Sequence, residues 1–238
     1  MLNVNEIFRS IQGEGKTAGK EVIFIRLSGC NLHCIWCDTP YCWNWNSTSF
    51  SHPVKFDVQN ELHQMSIDSI LDTLLSLDAQ CKQVVITGGE PLLQMKELEL
   101  LCTRLVDSGY GIEIETNGTI SPTSQLMLLV EQFNCSPKLK HSQNDMRVAN
   151  RPEVLKHFAQ RPNVFFKFVI ANEDDIPEVL DLVKTNGIMQ HQVYLMPEGQ
   201  TKEEQELKEQ QVRSLCEKHS FNFSPRLHIT ELGGGRGI

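Results

Sequence analysis

The sequence predicts an α/β fold in the form of a partial, open β/α barrel. Segments typical of strands and of amphipathic helices alternate along the 238 residues, with no linker, repeat or low-complexity break between them. Such alternation is typical of a mostly parallel sheet with helical crossovers. We count about seven strands and six helices, fewer than the eight pairs that close a barrel of roughly 250 residues. An open, doubly wound sheet is the alternative, and residues 1–238 are expected to form one domain.

The strands are predicted from short runs of β-forming residues. The first covers residues 22–27 and is nearly continuously apolar, as in a strand that is covered on both faces. The other predicted strands are residues 83–87, 111–115, 133–136, 164–170, 192–196 and 221–229.

The helices are predicted from apolar residues that recur at i, i+3 and i+4. Ser66 is expected to cap the first helix, and Thr201 with Glu204 to form a capping box at the last. Gly187 is expected to end the helix of residues 176–185, and helices are also predicted at residues 98–106, 122–132 and 152–160. Residues 40–65 lack this periodicity and are expected to be a loop elaboration.

Three cysteines follow the first predicted strand at the spacing C-x3-C-x2-C, namely Cys30, Cys34 and Cys37. Thiolates are the ligands that iron–sulfur clusters and zinc prefer. Three thiolates on a four-iron cluster leave one iron open to bind a substrate or cofactor. Structural zinc sites also use close cysteine pairs, with Cys42 or His33 as a fourth ligand here. The spacing alone leaves both kinds of site open, and His33 is otherwise expected to be a solvent-facing spacer.

Charge and composition exclude several classes of function. The net charge of −8 argues against a nucleic-acid-binding surface. No apolar stretch approaches the length of a membrane span, and the first residues lack the pattern of a signal peptide. We therefore expect a cytoplasmic protein without nucleic-acid or membrane partners, whose cysteines are metal ligands or core residues. Core positions are expected for Cys81, Cys102, Cys135 and Cys216.

A second motif, Thr87-Gly88-Gly89-Glu90-Pro91, ends the next predicted strand. Two glycines at a strand end let a ligand approach the backbone closely. The Glu90 carboxylate is expected either to hold an ammonium group or to face solvent beside a tight turn. The cysteine, Gly-Gly-Glu, Glu-Thr-Asn-Gly and Ser-Pro-Lys segments all follow predicted strands, at the edge where α/β folds carry their chemistry.

The cysteine motif followed by a strand-end Gly-Gly-Glu-Pro resembles the radical S-adenosylmethionine (SAM) superfamily, whose fold is a partial α/β barrel. In that superfamily three cysteines hold a [4Fe–4S] cluster, and its open iron binds the amino and carboxylate groups of SAM. The Gly-Gly-Glu segment cradles the amino group. An electron from the cluster breaks a C–S bond and releases the 5′-deoxyadenosyl radical, so the cofactors carry the difficult chemistry.

Six motifs in chain order narrow the resemblance to the 7-carboxy-7-deazaguanine synthase family. They are Ser10-Ile11-Gln12-Gly13-Glu14-Gly15, Arg26, Cys37-Asp38-Thr39, Thr87-Gly88-Gly89-Glu90-Pro91, Glu115-Thr116-Asn117-Gly118 and Ser136-Pro137-Lys138. That family converts 6-carboxy-5,6,7,8-tetrahydropterin to 7-carboxy-7-deazaguanine with loss of ammonia, on the way to queuosine and other deazapurines. The radical takes a hydrogen from C6 of the pterin and later returns it, so SAM is regenerated. The alternatives are another radical SAM enzyme, such as an activase, or a non-catalytic zinc or iron–sulfur module.

The resemblance implies a role for each matching residue. Cys30, Cys34 and Cys37 would hold the cluster, and the SAM-binding residues would be Trp36, Cys37, Asp38, Gly89, Ser136, Pro137 and Lys138. The pterin would contact Ile11, Gln12, Gly13, Arg26 and Thr87. Thr39 would offer its hydroxyl to Mg²⁺, a hard ion that takes oxygen ligands. The family also implies a homodimer and an electron donor such as a flavodoxin.

Some residues carry expectations of their own. The Arg26 guanidinium suits the substrate carboxylate, which an arginine binds bidentately, although an internal salt bridge to Glu14 or Glu115 is the alternative. Lys167 is a candidate to point into the barrel. The tail from residue 226 and the segment 195–199 resemble only some family members. We expect the Ile238 carboxylate to reach the active site, with a frayed terminus as the alternative.

Overall fold

A computed structural model describes residues 1–50 and 52–238, and its main feature is one mixed β-sheet. The described strands are β1 (Leu2–Ile11), β2 (Glu21–Leu27), β3 (His63–Met65), β4 (Gln83–Gly88), β5 (Gly111–Thr116), β6 (Gln132–Cys135), β7 (Val164–Ile170), β8 (Val193–Pro197) and β9 (Asn222–Phe223). Their order in the sheet is β3-β1-β2-β4-β5-β6-β7-β8-β9.

The strand order identifies the fold. Strand β2 pairs in parallel with β4, and each strand from β4 to β8 pairs in parallel with the next one along the chain. Strand β1 instead pairs antiparallel with β2 and with β3. A doubly wound sheet reverses its order at a switch point, and this parallel series has no reversal. The predicted partial, open barrel is therefore confirmed, and the doubly wound alternative is wrong.

The helices follow the strands as crossovers. They are α1 (Val58–Glu61), α2 (Ile67–Leu77), α3 (Met95–Asp107), α4 (Ser124–Leu129), α5 (Met146–Ala149), α6 (Pro152–Ala159), α7 (Ile176–Asn186), α8 (Lys202–His219) and α9 (Leu227–Thr230). The Ser66 side chain caps α2, and Thr201 with Glu204 forms the capping box of α8. Gly187 ends α7 in the left-handed conformation, at φ 68°. These three predictions are confirmed.

Strand β7 shows how the sheet separates the core from the site. All seven of its residues are buried. Phe166 and Phe168 belong to the main hydrophobic core, which also contains Phe158 of α6. Because side chains alternate across a strand, Lys167 points to the opposite face, where it lines the central cavity. Lys167 therefore points into the barrel.

Several predicted boundaries are wrong. Strand β1 was not predicted, because its apolar residues are interrupted by polar ones on a strand that pairs antiparallel near the edge of the sheet. The predicted strand of residues 221–229 is only β9, after which the chain forms α9. The predicted helix of residues 122–132 stops at Leu129, and Gln132 begins β6.

The predicted loop elaboration of residues 40–65 is partly structured. It includes a 3-10 turn at Pro40–Cys42, helix α1 and the edge strand β3. Ser51, within this segment, lies outside the described residues. The loop prediction is therefore wrong for residues 63–65, which pair with β1.

The sequence predicts core positions for the four cysteines that lie away from the cysteine loop and Cys42. Cys102, Cys135 and Cys216 are buried in the core, whereas Cys81 is only partly buried against it. Each of the eight cysteines is described as a free thiol.

In the described part of the chain, no helix combines the length and apolarity that crossing a membrane requires.

Candidate active site

Loops at the carboxyl ends of β2 and β4 to β8 surround a cavity of about 510 Å³. This volume is in the usual range for small-molecule sites, about 300 to 1,000 Å³. The cavity wall includes all the residues assigned from the family motifs except Pro137, which is buried and does not line it. The sequence motifs thus come together from five separate strands.

The cysteine loop forms one wall of the cavity, and its three sulfurs accept N–H hydrogen bonds. Cys30 accepts from the Leu32 backbone N–H, with a sulfur–nitrogen distance of 3.4 Å. Burial raises the pKa of the Cys30 thiol to about 12 and that of Cys37 to about 11. Thiols of such high pKa lose their protons when metal binds, since metal displaces the proton from its ligand.

The thiol donors of the cysteine loop fit an iron–sulfur cluster. Among residues 1–50 and 52–238, no three His, Cys, Asp or Glu side chains converge where one ion would sit. A cubane cluster takes each thiolate on a different iron, and Cys30, Cys34 and Cys37 all line the same cavity. Cys42 is fully buried and does not line the cavity.

The sequence predicts that His33 is a solvent-facing spacer, but the structure places its ring against aromatic side chains. Its ring stacks on Phe50, with the ring centroids 3.5 Å apart, and meets Trp43 edge-on at 5.0 Å. Burial lowers the pKa of His33. The imidazole therefore packs the aromatic segment of residues 43–50 against the cysteine loop, and the spacer expectation is wrong.

The two glycines at the end of β4 are required by close packing. A Cβ atom at Gly88, where φ is +137°, would lie 2.1 Å from the carbonyl oxygen of Leu27. A Cβ atom at Gly89 would lie 2.1 Å from the carbonyl oxygen of Gly29 and 2.9 Å from Cβ of Cys30. The turn therefore packs directly against the start of the cysteine loop and exposes its backbone to the cavity.

Glu90 has a role that the sequence did not predict. Its carboxylate is fully buried, lies off the cavity wall, and accepts hydrogen bonds from the Thr116 hydroxyl at 2.9 Å and the Asn117 N–H at 2.7 Å. It also accepts from the Leu92 N–H at 2.9 Å. Burial raises the pKa of Glu90, although these donors oppose the shift. Glu90 thus ties the glycine turn to the end of β5, and both sequence expectations for its carboxylate are wrong.

The wall around Trp36 carries polar groups suited to a ligand. Lys138 Nζ lies 5.7 Å from the Trp36 ring centroid and donates to the Ser136 hydroxyl at 2.8 Å. The His141 ring stacks on the Trp36 ring at a centroid distance of 5.5 Å. The Trp36 Nε1 atom is buried and has no hydrogen-bond partner within the described residues. A buried donor without a partner on a cavity wall fits a polar ligand.

A network of ion pairs that runs from Lys167 to Asp38 also lines the cavity. Lys167 pairs with Glu14 and with Glu115, the latter at 3.4 Å. Arg226 pairs with Glu14 at 3.1 Å and with Asp38. Burial by itself raises the pKa of Glu14, but the nearby cations Lys167 and Arg226 outweigh it and hold that pKa well below its usual range.

Sequence reasoning missed Glu14, Arg226 and His228 as site residues. His228 Nε2 lies 3.8 Å from the Glu14 carboxylate, and a Cβ atom at Gly13 would lie 2.3 Å from His228 Nδ1. Glu14 is within one of the family motifs, whereas Arg226 and His228 fall in residues 221–229, which are predicted to be a strand. Their position near the carboxyl end of that predicted strand is the signal that could have indicated them.

Arg26 has a different partner from the two considered in the sequence. Its Nε donates to Glu6 of β1 at 2.8 Å, and its guanidinium lies 5.9 Å from the Tyr41 ring centroid. Glu14 and Glu115 are paired with Lys167 instead, so the predicted salt bridge to either of them is wrong. Glu6 could not be anticipated because β1 was not predicted.

Two other candidate substrate residues meet the buried acids. Gln12 Nε2 donates to Glu113 at 2.9 Å, and the Thr87 hydroxyl donates to Glu115 at 2.8 Å. Burial raises the pKa of Glu113, partly offset by its hydrogen bond from Thr17. These contacts fix the side chains of both residues at the cavity wall. Ile11 and Gly13 line the same wall.

The Gly-rich tail folds onto the site. Gly234, Gly235, Arg236 and Ile238 line the cavity. Arg236 donates to Glu61 at 2.6 Å and 3.0 Å, which anchors the tail to the edge of the sheet. The tail therefore closes one side of the cavity.

Comparisons with known proteins agree with this geometry. The family model for the radical SAM superfamily matches residues 24–210. The 7-carboxy-7-deazaguanine synthase of Pyrobaculum aerophilum is 35% identical over 237 residues, which cover 99% of this chain and 97% of that protein. The synthase of Halobacterium salinarum is 34% identical, over 96% of this chain and 89% of that one. The crystal structure of QueE from Escherichia coli aligns with a TM-score of 0.67 and 25% identity, over 94% of this chain and 92% of that chain. The chain therefore belongs to the radical SAM superfamily and, within it, to the 7-carboxy-7-deazaguanine synthase family.

Proposed function

We propose that this chain converts 6-carboxy-5,6,7,8-tetrahydropterin to 7-carboxy-7-deazaguanine with loss of ammonia, as a step of queuosine and deazapurine biosynthesis. The observation that carries the proposal is one cavity that joins a cysteine loop to an arginine suited to a carboxylate. Cys30, Cys34, Cys37 and Arg26 all line this cavity. Family membership supports a [4Fe–4S] cluster and SAM as cofactors.

The cysteine side of the cavity would hold the cofactors. Cys30, Cys34 and Cys37 would ligate the cluster, which together with SAM supplies a 5′-deoxyadenosyl radical to take a hydrogen from the pterin. The exposed backbone of Gly89 and the unpartnered Trp36 N–H are suited to the polar groups of SAM.

Four further residues complete the proposed SAM site. Asp38 would bind SAM from the cysteine loop, and Ser136 with Lys138 from the end of β6. The buried Pro137 would shape the turn between them. Support comes from the positions of Asp38, Ser136 and Lys138 on the cavity wall.

The opposite side would hold the pterin. Arg26 would bind its carboxylate bidentately, since a guanidinium fork matches a carboxylate. The pterin ring presents several N–H donors, and the Glu14 and Glu115 carboxylates are acceptors on the same wall. Gln12 and Thr87 would hold the ring between them, and the walls of the cavity would keep water from the reactive carbon.

Further features that the resemblance implies are proposals for this chain. Thr39, whose hydroxyl lies 3.7 Å from the Cys37 sulfur on the cavity wall, would contribute an oxygen ligand to Mg²⁺. Ile35 is half-exposed on the cysteine loop, which brings that loop within reach of an electron donor such as a flavodoxin. A homodimer in the cytoplasm is proposed from the family alone. The tail residue Ile238 is proposed to contact the substrate, supported by its position on the cavity wall.

The test is anaerobic reconstitution followed by an assay with the carboxylated tetrahydropterin, SAM, Mg²⁺ and a reductant. We expect brown protein that contains iron and sulfide, a spectral change on addition of SAM, and the appearance of 7-carboxy-7-deazaguanine. A variant with alanine at all three cysteines is the control and should be colourless. Protein that holds zinc contradicts the proposal, and SAM cleavage without deazaguanine would indicate another radical SAM reaction.

A further inference from the structure

Two side chains from outside the cysteine loop donate hydrogen bonds to its sulfurs. The Trp43 indole N–H donates to Cys37, with a nitrogen–sulfur distance of 3.4 Å. The Asn144 side-chain amide donates to Cys34 at 3.1 Å. Trp43 follows the cysteine loop in the chain, whereas Asn144 comes from the segment after β6. Two remote parts of the sequence therefore converge on two different sulfurs.

The Trp43 indole is locked in its orientation. The residue is only 3% exposed. Its ring lies edge-on to Phe50 and His52, with centroid distances of 5.6 and 5.7 Å. His33 contacts a third side of the ring. Since aromatic packing holds the plane of the ring, the N–H is directed at the sulfur without help from a ligand.

The Asn144 amide is fixed at both of its ends. Its carbonyl oxygen accepts from the His33 backbone N–H at 2.8 Å, and its nitrogen also approaches the Ser142 hydroxyl at 3.1 Å. The backbone donor identifies the oxygen end, so the amide nitrogen must face Cys34. Asn144 thus holds the middle of the cysteine loop and presents a donor to its sulfur at the same time.

We propose that Trp43 and Asn144 are positioning residues that raise the reduction potential of the cluster, an inference that rests on the proposed function. Reduction adds one electron from the donor and increases the negative charge on the ligating sulfurs. An N–H donor stabilises that charge more strongly in the reduced state than in the oxidised state, so hydrogen bonds to the sulfurs shift the potential upwards. Neither residue needs to touch SAM or the pterin for this effect.

The test is a potentiometric titration of the reconstituted cluster, monitored by electron paramagnetic resonance without SAM or substrate. Trp43→Phe keeps an aromatic ring and removes the N–H. We expect the equilibrium constant for cluster reduction to fall about tenfold, which is about 59 mV for one electron. Asn144→Asp keeps the acceptor for His33 but replaces the donor with negative charge, so its potential should also fall.

The matched control is Trp45→Phe. Trp45 is in the same segment, but its indole N–H donates to the Tyr41 carbonyl oxygen at 2.9 Å rather than to sulfur. Its replacement should leave the potential unchanged. Iron and sulfide are measured first in every protein.

The outcomes separate this inference from the proposed function. Wild-type protein without iron and sulfide would contradict the proposed function itself. Fully loaded Trp43→Phe and Asn144→Asp proteins with the wild-type potential would overturn only the hydrogen-bond role. Failure of both variants to assemble a cluster that Trp45→Phe does assemble would assign them a purely structural role and would also overturn it.

Discussion

Arg26 is held at the cavity wall before any substrate arrives. Its ion pair with Glu6 and its position beside Tyr41 fix the guanidinium on β2. Because the fork matches a carboxylate through two parallel hydrogen bonds, lysine is a poor replacement. The prediction is that Arg26→Lys lowers kcat/KM for the carboxylated pterin about a hundredfold, close to 3 kcal/mol of lost binding to the transition state.

Steady-state kinetics with each substrate varied in turn would measure this effect. The affinity for SAM should stay near the wild-type value, since Arg26 is not among the residues proposed to bind SAM. Arg9→Lys is the control, because Arg9 pairs with Glu21 on the exposed part of β1 and β2. An Arg26→Lys enzyme with unchanged kcat/KM would show that this arginine does not bind the carboxylate.

Glu90 is a fully buried acid whose role is structural. Removing its carboxylate leaves the Thr116 hydroxyl and the N–H groups of Asn117 and Leu92 without their acceptor. A buried donor left unpaired costs about 1 to 3 kcal/mol. We therefore expect Glu90→Ala to lower the free energy of unfolding by about 3 kcal/mol, as the combined penalty for these unpaired donors.

Thermal and urea unfolding of the cluster-free protein would measure the loss. Glu217→Ala, at an exposed position of α8, should change stability very little. Equal melting temperatures for the two variants would contradict the structural role of Glu90.

The C-terminal tail depends on one arginine. Arg236 donates to Glu61 and Asn5 at the edge of the sheet, and it lies 4.4 Å from the Tyr41 ring centroid. Arg236→Ala leaves the buried Glu61 carboxylate without this partner and frees the tail. We predict that KM for the pterin rises roughly tenfold, because an ordered wall of the cavity is lost.

Hydrogen exchange provides a second measurement of the tail. Amides of residues 233–238 should exchange faster in Arg236→Ala than in wild type. Arg104→Ala, which removes an exposed pair with Asp68, is the control. Unchanged exchange and unchanged KM would show that the tail is held by other contacts.

The elements that were predicted well are those with uniform burial. Strand β7 was predicted with both of its ends correct, because all seven residues are buried and β-forming. Strand β1 was missed because it is antiparallel and alternates polar with apolar residues, so it lacks the continuous apolar run of the central strands. The predicted strand of residues 221–229 is wrong beyond Phe223. Its apolar residues pack α9 against the site rather than extending β9.

Site residues were likewise predicted well only where their motif is local in the sequence. The glycine turn and the cysteine loop are local in sequence, so their motifs were legible. The role of Glu90 was not predicted because two of its donors, Thr116 and Asn117, lie at the end of β5, far from Glu90 in the sequence. Arg226 became visible as a site residue only when the fold brought it to Glu14 and Asp38.

The charge network that joins these parts predicts how stability depends on pH. The folded pKa of Glu14 lies below its ordinary 4.5, so its stabilisation is present above pH 4.5 and is lost as pH falls through the folded value. The pKa of Lys167 is raised above 10.5, so its contribution is present below pH 10.5 and is lost only in strong alkali. Glu90 and Glu113 have raised pKa values and act in the opposite sense on the acid side.

Melting temperatures of wild type and Glu14→Gln across the acid range would isolate the Glu14 contribution. Between about pH 5 and pH 3 the wild type should lose more stability than the variant, since only the wild type has this carboxylate to protonate. Parallel curves for the two proteins would contradict the assignment. Glu203→Gln, at an exposed position of α8, is the matched control.

One cavity is proposed to hold a SAM-binding cluster on one wall and a carboxylated pterin on the other. The decisive measurement is product formation by the reconstituted wild type from two substrates side by side, 6-carboxytetrahydropterin and a tetrahydropterin without the carboxylate. A site built to pair with a charged group rejects an analogue that lacks it, by a factor of about 10⁴ or more where polar groups are left unpaired. We predict 7-carboxy-7-deazaguanine from the first and no ring contraction of the second. Equal turnover of both, or none of either by protein that carries a SAM-responsive cluster, would contradict this account.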